Sequence, residues 1–240
     1  MAEYFFPLKD RNEVAEGTMA FWFDTSASDF TFEPGQNADF TLIDPPKTDA
    51  EGNTRAFSFA SSPHHRDSFM IATRMRPTAF KESLRSLPLG TKIKVEGPNG
   101  NMVLHEDGSR PAVLLAAGIG ITPFRGMLEW ATAKKLPHRF TLFYSNRTLA
   151  LTAFLDDLEA WSKRNPNIRL VPTITDSKDP KWPHETGRVD EDMLRRHVPD
   201  LEKPIFYLAG PPAMVEAVKN LLLGLGVSRD NVRFEIFSGY

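Results

Sequence analysis

Arg55-Ala56-Phe57-Ser58 sets a guanidinium, an aromatic ring and a hydroxyl within four residues. A guanidinium can clamp a phosphate, an aromatic can lie against a flat ring, and a serine can hydrogen-bond a ring nitrogen. In an extended strand Arg55, Phe57 and Phe59 share one face and Ser58 lies on the other. Taken alone, the segment is more simply an ordinary strand with an exposed arginine. A second segment, Gly118-Ile119-Gly120-Ile121-Thr122-Pro123, lies between an apolar run and a stretch of helical spacing. Glycines there let the backbone turn tightly against a pyrophosphate, and the helix start offers free N–H groups. Thr122 is expected to cap that helix and Pro123 to take its first position. Proline replaces the third glycine of the usual dinucleotide fingerprint, so a tight strand-to-helix turn without a ligand is an equal reading.

Other residues extend these two segments. Dinucleotides with a free ribose 2′-hydroxyl usually meet an acid after the second strand, but Tyr144-Ser145-Asn146-Arg147-Thr148 has none. Ser145 and Arg147 could instead grip a 2′-phosphate, which leans towards NADPH over NADH. The alternative is that Thr148 caps the next helix and Arg147 is solvated. In Gly210-Pro211-Pro212 the glycine admits a close ligand and a proline starts the next helix. Glu235 is a candidate for proton relay or ring positioning, or equally a solvated charge on an edge strand. His64 and His65 read as loop residues whose rings point apart, and no metal site is expected.

Two kinds of element must hold these residues. Up to about residue 107 the chain reads as short strands with Gly and Pro turns. They include 19–25, 30–36 ending at Pro34-Gly35, 40–43, 69–73 and 91–97, with a short helix over 79–87. That pattern suggests a small antiparallel β-barrel. From residue 108 apolar strands (113–117, 140–144, 168–174, 205–208, 232–237) alternate with amphipathic stretches, as in a doubly wound α/β domain with a parallel sheet. The last helix carries Met214, Val218, Leu222 and Leu225 on one face, and Gly226 should end it. The expected units are 1–107 and 108–240. Residues 177–186 are the most loop-like.

Composition narrows the function classes. With 240 residues and a formal net charge of −2, no global field draws the chain to nucleic acid or an anionic membrane. No run is long enough to span a bilayer. The chain has no cysteine, which excludes disulfides and a cysteine-held iron–sulfur cluster. With no basic, apolar leader at the start, a cytoplasmic protein is expected.

Five segments in this order and spacing resemble the ferredoxin–NADP⁺ reductase family: Arg55-x-Phe57-Ser58, Glu96-Gly97-Pro98-Asn99-Gly100, Gly118-x-Gly120-x-x-Pro123, Gly210-Pro211-Pro212-Ala213-Met214 and Glu235-x-Phe237. The resemblance implies an FAD-binding barrel and an NAD(P)-binding α/β domain. It implies that Arg55 binds the flavin pyrophosphate, that Phe57 lies against the isoalloxazine and that Ser58 bonds near N5. Arg74 to Phe80 would be a second phosphate-binding stretch, using N–H groups of Thr78, Ala79 and Phe80. Gly118, Gly120, Thr122, Pro123, Gly210 and Pro211 would hold the nicotinamide dinucleotide, with Ser145 and Arg147 at its adenosine ribose. Phe237 or Tyr240 would cover the flavin. Phe57 stands where the family commonly has Tyr, and Ala209 where it commonly has Cys, so slower transfer is expected. The implied activity is NAD(P)H oxidation with electrons passed to a separate acceptor such as ferredoxin. Basic residues between His64 and Lys94 (Arg66, Arg74, Arg76, Lys81, Arg85, Lys92 and Lys94) would dock an acidic partner, or simply form a solvated face. A reductase of free flavin, quinone or ferric chelates, and a flavin-binding subunit without turnover, are the alternatives.

Overall fold

The structure is a computed structural model, and it describes residues 2–176 and 182–237. Its first half is one antiparallel sheet built from β1 (Glu3–Ala15), β2 (Thr18–Asp24), β3 (Asn37–Thr41), β4 (Thr54–Ser58), β5 (Ser68–Arg74) and β6 (Lys92–Asn99). Helix α1 (Ala79–Ser86) lies between β5 and β6. The strand order is β4-β3-β6-β1-β2-β5. The sheet curls into a barrel, and beyond β4 the Ala60 N–H reaches Met70 O on β5 at 2.7 Å. In β6 the alternation is clean, with Ile93 and Val95 buried and Lys92 exposed. Its interior is unusually aromatic: Phe6, Phe21, Phe23, Phe40, Phe59 and Phe69 pack in one cluster.

The second half is a parallel sheet of β7 (Ala112–Ala117), β8 (Phe140–Asn146), β9 (Ile168–Ile174), β10 (Glu185–Thr186), β11 (Ile205–Gly210) and β12 (Val232–Ile236), in the order β10-β9-β8-β7-β11-β12. Helices α2 (Ile121–Lys134) and α3 (Leu155–Arg164) cover one face; α4 (Glu191–His197) and α5 (Pro212–Gly224) cover the other. The sequence accounts for this doubly wound arrangement, because alternate residues of β7 serve different layers. Leu114 and Ala116 pack towards α2, whereas Val113 and Leu115 pack towards α5. The strand order reverses at β7, which pairs with β8 on one side and β11 on the other. In such sheets ligands bind beyond the carboxyl ends of the strands at that reversal.

The two halves share a core. Ala60, Met70, Ala72 and Met102 of the first pack in one cluster with Phe124 and Met127 of α2. Arg125 Nη1 donates to Ala60 O across the same seam at 2.8 Å.

Three expectations change. Residues 30–33 form no strand; Phe32 stacks on Phe59 at 4.1 Å and plugs the barrel end without a ladder partner. The thirteen-residue β1 and the helix α4 are additional. Thr122 does not cap α2: a 3₁₀ turn over Gly118–Gly120 runs straight into the helix, with Gly120 at its N-cap. Thr122 Oγ1 donates to Ile119 O at 3.0 Å instead. Pro211 and Pro212 do start α5, and Gly226 follows its end in a left-handed conformation. Among the described residues no helix is long and apolar enough to cross a membrane. Of the loop expected over 177–186, residues 177–181 lie outside the described residues.

Candidate functional site

Two cavities meet at Phe237. The first, of about 470 Å³, is walled by β4, α1 and the end of β12, and Arg55, Phe57, Ser58, Thr78, Thr122 and Glu235 line it. The second, of about 240 Å³, lies at the carboxyl ends of β7, β8 and β11. Gly118, Ser145, Arg147, Gly210 and Pro211 line that one, and Phe237 lines both. Phe237 is fixed at the seam by its N–H, which donates to Gly210 O at 2.9 Å. Tyr240 lies outside the described residues.

The floor of the first cavity is polar and incompletely paired. Asn37 Nδ2 donates to Glu235 Oε1 at 2.9 Å. Ser58 Oγ and Glu235 Oε2 are buried and find no well-formed hydrogen bond among the described residues. Burial raises the Glu235 carboxyl above the ordinary carboxylate range, and its contacts with Asn37 and Ser58 partly offset that. Native structures rarely leave such groups unpaired, so these two atoms suit a ligand with its own donors and acceptors.

The other end of the cavity gathers groups that hold anions. Arg55 Nη2 lies 2.8 Å from Glu51 Oε2 and 3.6 Å from Asp49 Oδ1. The Ala79 N–H, at the start of α1, donates to Asp49 Oδ2 at 3.1 Å. Phe80 is buried beneath, with the Arg55 guanidinium 5.4 Å above its ring. Thr78 is the N-cap of α1 and accepts from the Lys81 N–H. Lys81 itself lines this cavity and is buried, its Nζ donating to Arg74 O at 2.8 Å. Burial first, then Arg76 and Arg55, push its pKa down to about 8. Lys81 therefore does not belong to an exposed basic docking face, and Lys94, held by Glu3 and Glu96, is neutralised there. Sequence reasoning missed Asn37 and the inward aim of Lys81. The one available signal was a lysine set between Phe80 and Leu84 in a short helix.

Arg74 also departs from expectation. It lines the second cavity with Arg147 rather than the first, so two cations face Gly118 and Ser145. The two glycines of the 118–120 turn do different work. Gly118 adopts φ +55° and a side chain there would meet nothing within 4 Å, which leaves the backbone open to the cavity. A Cβ on Gly120 would lie 2.1 Å from Ala209 O, so this glycine lets the turn touch β11. Gly120 and the buried Pro123 shape the turn without lining either cavity. Thr148 makes no capping bond to the turn that follows it.

Residues 114–220 match the family described as the oxidoreductase NAD-binding domain. The chain is 27% identical over 189 residues to terephthalate 1,2-dioxygenase, reductase component 1, of Comamonas sp., covering 78% of this chain and 56% of that one. It is 30% identical over 217 residues to the propane 2-monooxygenase reductase component of Mycolicibacterium smegmatis, covering 87% and 60%. These likenesses support the ferredoxin–NADP⁺ reductase family as the one this chain resembles. A family member from Neisseria gonorrhoeae, a ferredoxin NADP⁺ reductase with bound FAD and NADP, shares the fold at TM-score 0.79. Its identity is 19%, with 98% of each chain covered. The chain spans somewhat over half the length of the two curated family relatives.

His64 and His65 correct the sequence reading. They lie in a loop, as the sequence suggests, but their rings do not point apart: the centroids are 4.0 Å from one another. Glu129 of α2 joins them, with ligand-capable atoms of all three within 4.8 Å of one another.

Proposed function

We propose that the chain is an NAD(P)H-dependent flavoprotein reductase that binds FAD in the first cavity and the nicotinamide dinucleotide in the second. It would pass electrons to a separate acceptor such as ferredoxin or another redox protein. The observation that carries this reading is the pair of unsatisfied buried atoms, Ser58 Oγ and Glu235 Oε2, in a cavity that shares Phe237 with a glycine-lined neighbour. A flat heterocycle with ring nitrogens and carbonyls fits those atoms, and its anionic tail fits Arg55, Lys81 and the start of α1.

When bound, the flavin supplies the hydride-accepting centre and the means of releasing electrons singly. Ser58 orients the ring by hydrogen bonding. Glu235, whose carboxyl burial pushes above the ordinary carboxylate range, is placed to exchange a proton beside the ring, and Asn37 fixes that carboxyl. Phe57 and Phe237 exclude water from the two sides. Arg55 and Lys81 hold the phosphates at the far end. Gly118 lets the dinucleotide backbone approach, and Arg74, Ser145 and Arg147 favour an additional phosphate, which selects NADPH. The names of the curated relatives, reductase components of a dioxygenase and a monooxygenase, support an oxygenase system as the destination of the electrons.

The test is anaerobic. FAD-reconstituted protein is mixed with NADPH and, separately, with NADH, and the visible flavin band is followed. Rapid bleaching by NADPH is expected. A protein that takes up no flavin overturns the reading. One that binds flavin but is bleached by neither nucleotide is an electron-transfer or regulatory subunit, and faster bleaching by NADH removes the role given to Arg147.

A further inference from the structure

We infer that His64, His65 and Glu129, none of which lines the two cavities at Phe237, form a binding site for one divalent transition-metal ion, bridging the barrel to helix α2. The ligand set is two imidazoles and one carboxylate, drawn from a turn in one half of the molecule and a helix in the other. His65 Nε2 lies 2.9 Å from Glu129 Oε1, so a metal ion would take the place of the proton they now share. The ligands are already oriented from outside. Ser62 Oγ contacts His64 Nδ1 at 2.7 Å, and the Ser62 N–H donates to Glu129 Oε2 at 2.7 Å. The His65 ring stands edge-on to Trp22, 6.3 Å between centroids. Outer contacts of this kind fix ring and carboxylate orientation in metal sites.

Charge nearby does not forbid a cation. Arg125 Nη1 lies 3.6 Å from Glu129 Oε2. Its charge is met by Asp157 at 2.6 Å and its guanidinium is stacked between Phe154 and Trp161. Lys134 folds over the Trp130 ring at 4.7 Å. Glu129 Oε1 thus remains for the metal. His64 also lines a cleft of about 1190 Å³ between the halves, which gives an ion a path in and leaves room for water as a further ligand. Two imidazoles and a carboxylate select zinc, nickel or cobalt over magnesium or calcium, which prefer all-oxygen sites.

The experiment uses the untagged full-length protein, stripped with chelator, titrated calorimetrically with zinc chloride and, separately, magnesium chloride. Melting temperature and flavin content are measured alongside. One equivalent of zinc binding at micromolar affinity with a raised melting temperature is expected, and no response to magnesium. His64→Ala and His65→Ala should each weaken zinc binding at least tenfold, and the double variant should lose it, with flavin content unchanged in all. Should His65→Ala fail to fold, His64→Ala, which removes a ring held through Ser62, decides the matter. Absent saturable zinc binding, or zinc binding undiminished in the variants, the inference is wrong. Neither result bears on flavin uptake, so the proposed function stands or falls separately.

Discussion

Arg55 spends its charge on Glu51 and Asp49 while its guanidinium rests on Phe80. A phosphate entering there exchanges these monodentate carboxylate partners for one that the guanidinium can grip with two hydrogen bonds. Hydrogen bonds to charged groups contribute about 1.5–3 kcal/mol each. Arg55→Ala should therefore weaken FAD retention by roughly ten- to a hundredfold in equilibrium dialysis, with the circular dichroism spectrum unchanged. Lys81 gives the site a pH dependence of definite sign. Its pKa without ligand is about 8, and a bound phosphate raises it. Protein and complex are both protonated below pH 8, whereas above it binding must take up a proton. FAD affinity should fall as pH rises past about 8, and this fall should be absent in Lys81→Met. Arg55, Ser58 and Glu235 were legible from the sequence by residue type and order. Lys81 and Asn37 were not, because what brings them to the cavity is the way the chain turns them inward. A lysine in a helix or an asparagine opening a strand carries no mark of which way it faces.

At the scale of elements, the 3₁₀ turn after β7 separates two glycines that look equivalent in sequence. Gly120→Ala forces a methyl against the Ala209 carbonyl and should destabilise the protein by about 3 kcal/mol, read as a lowered urea midpoint. Gly118→Ala meets no clash and costs only the left-handed backbone, about 1–2 kcal/mol. Its methyl projects into the second cavity, the site proposed for the dinucleotide, so the KM for NADPH should rise while FAD content stays constant. Periodicity revealed β6 and α5, whose burial alternates or repeats as the sequence suggests, and an unbroken apolar run revealed β7, which is buried along nearly its whole length. Periodicity hid β1, because residues 9–13 are all polar or charged on a strand paired outward with β2. It also mistook 30–33 for a strand, because Phe30 and Phe32 are aromatic for the sake of the barrel plug rather than a ladder.

For the whole molecule, the two sheets were each legible, and the seam between them was not. The sequence reads as two units meeting in a polar stretch near 106–110, yet α2 packs its Phe124 and Met127 among Met70, Ala72 and Met102. Interdomain contacts of this apolar kind tie motions of the two sheets together. A fragment starting at residue 108, expressed alone, should expose that face of α2. It should bind a hydrophobic dye and melt without a cooperative transition, whereas the full chain should melt as one unit in calorimetry.

The same seam sets a rule for building chimaeras. A crossover placed at the chain's polar stretch would give α2 a barrel it did not coevolve with, and would divide the contacts of Ala60 with Arg125 and of Ser62 with Glu129 between two parents. A crossover placed after Lys134 keeps helix and barrel as one inherited block. The interchangeable part of this protein is then the sheet from β8 onward, which carries Ser145 and Arg147 but also Glu235 and Phe237, so an exchange aimed at the proposed pyridine-nucleotide preference must retain those two residues at the first cavity.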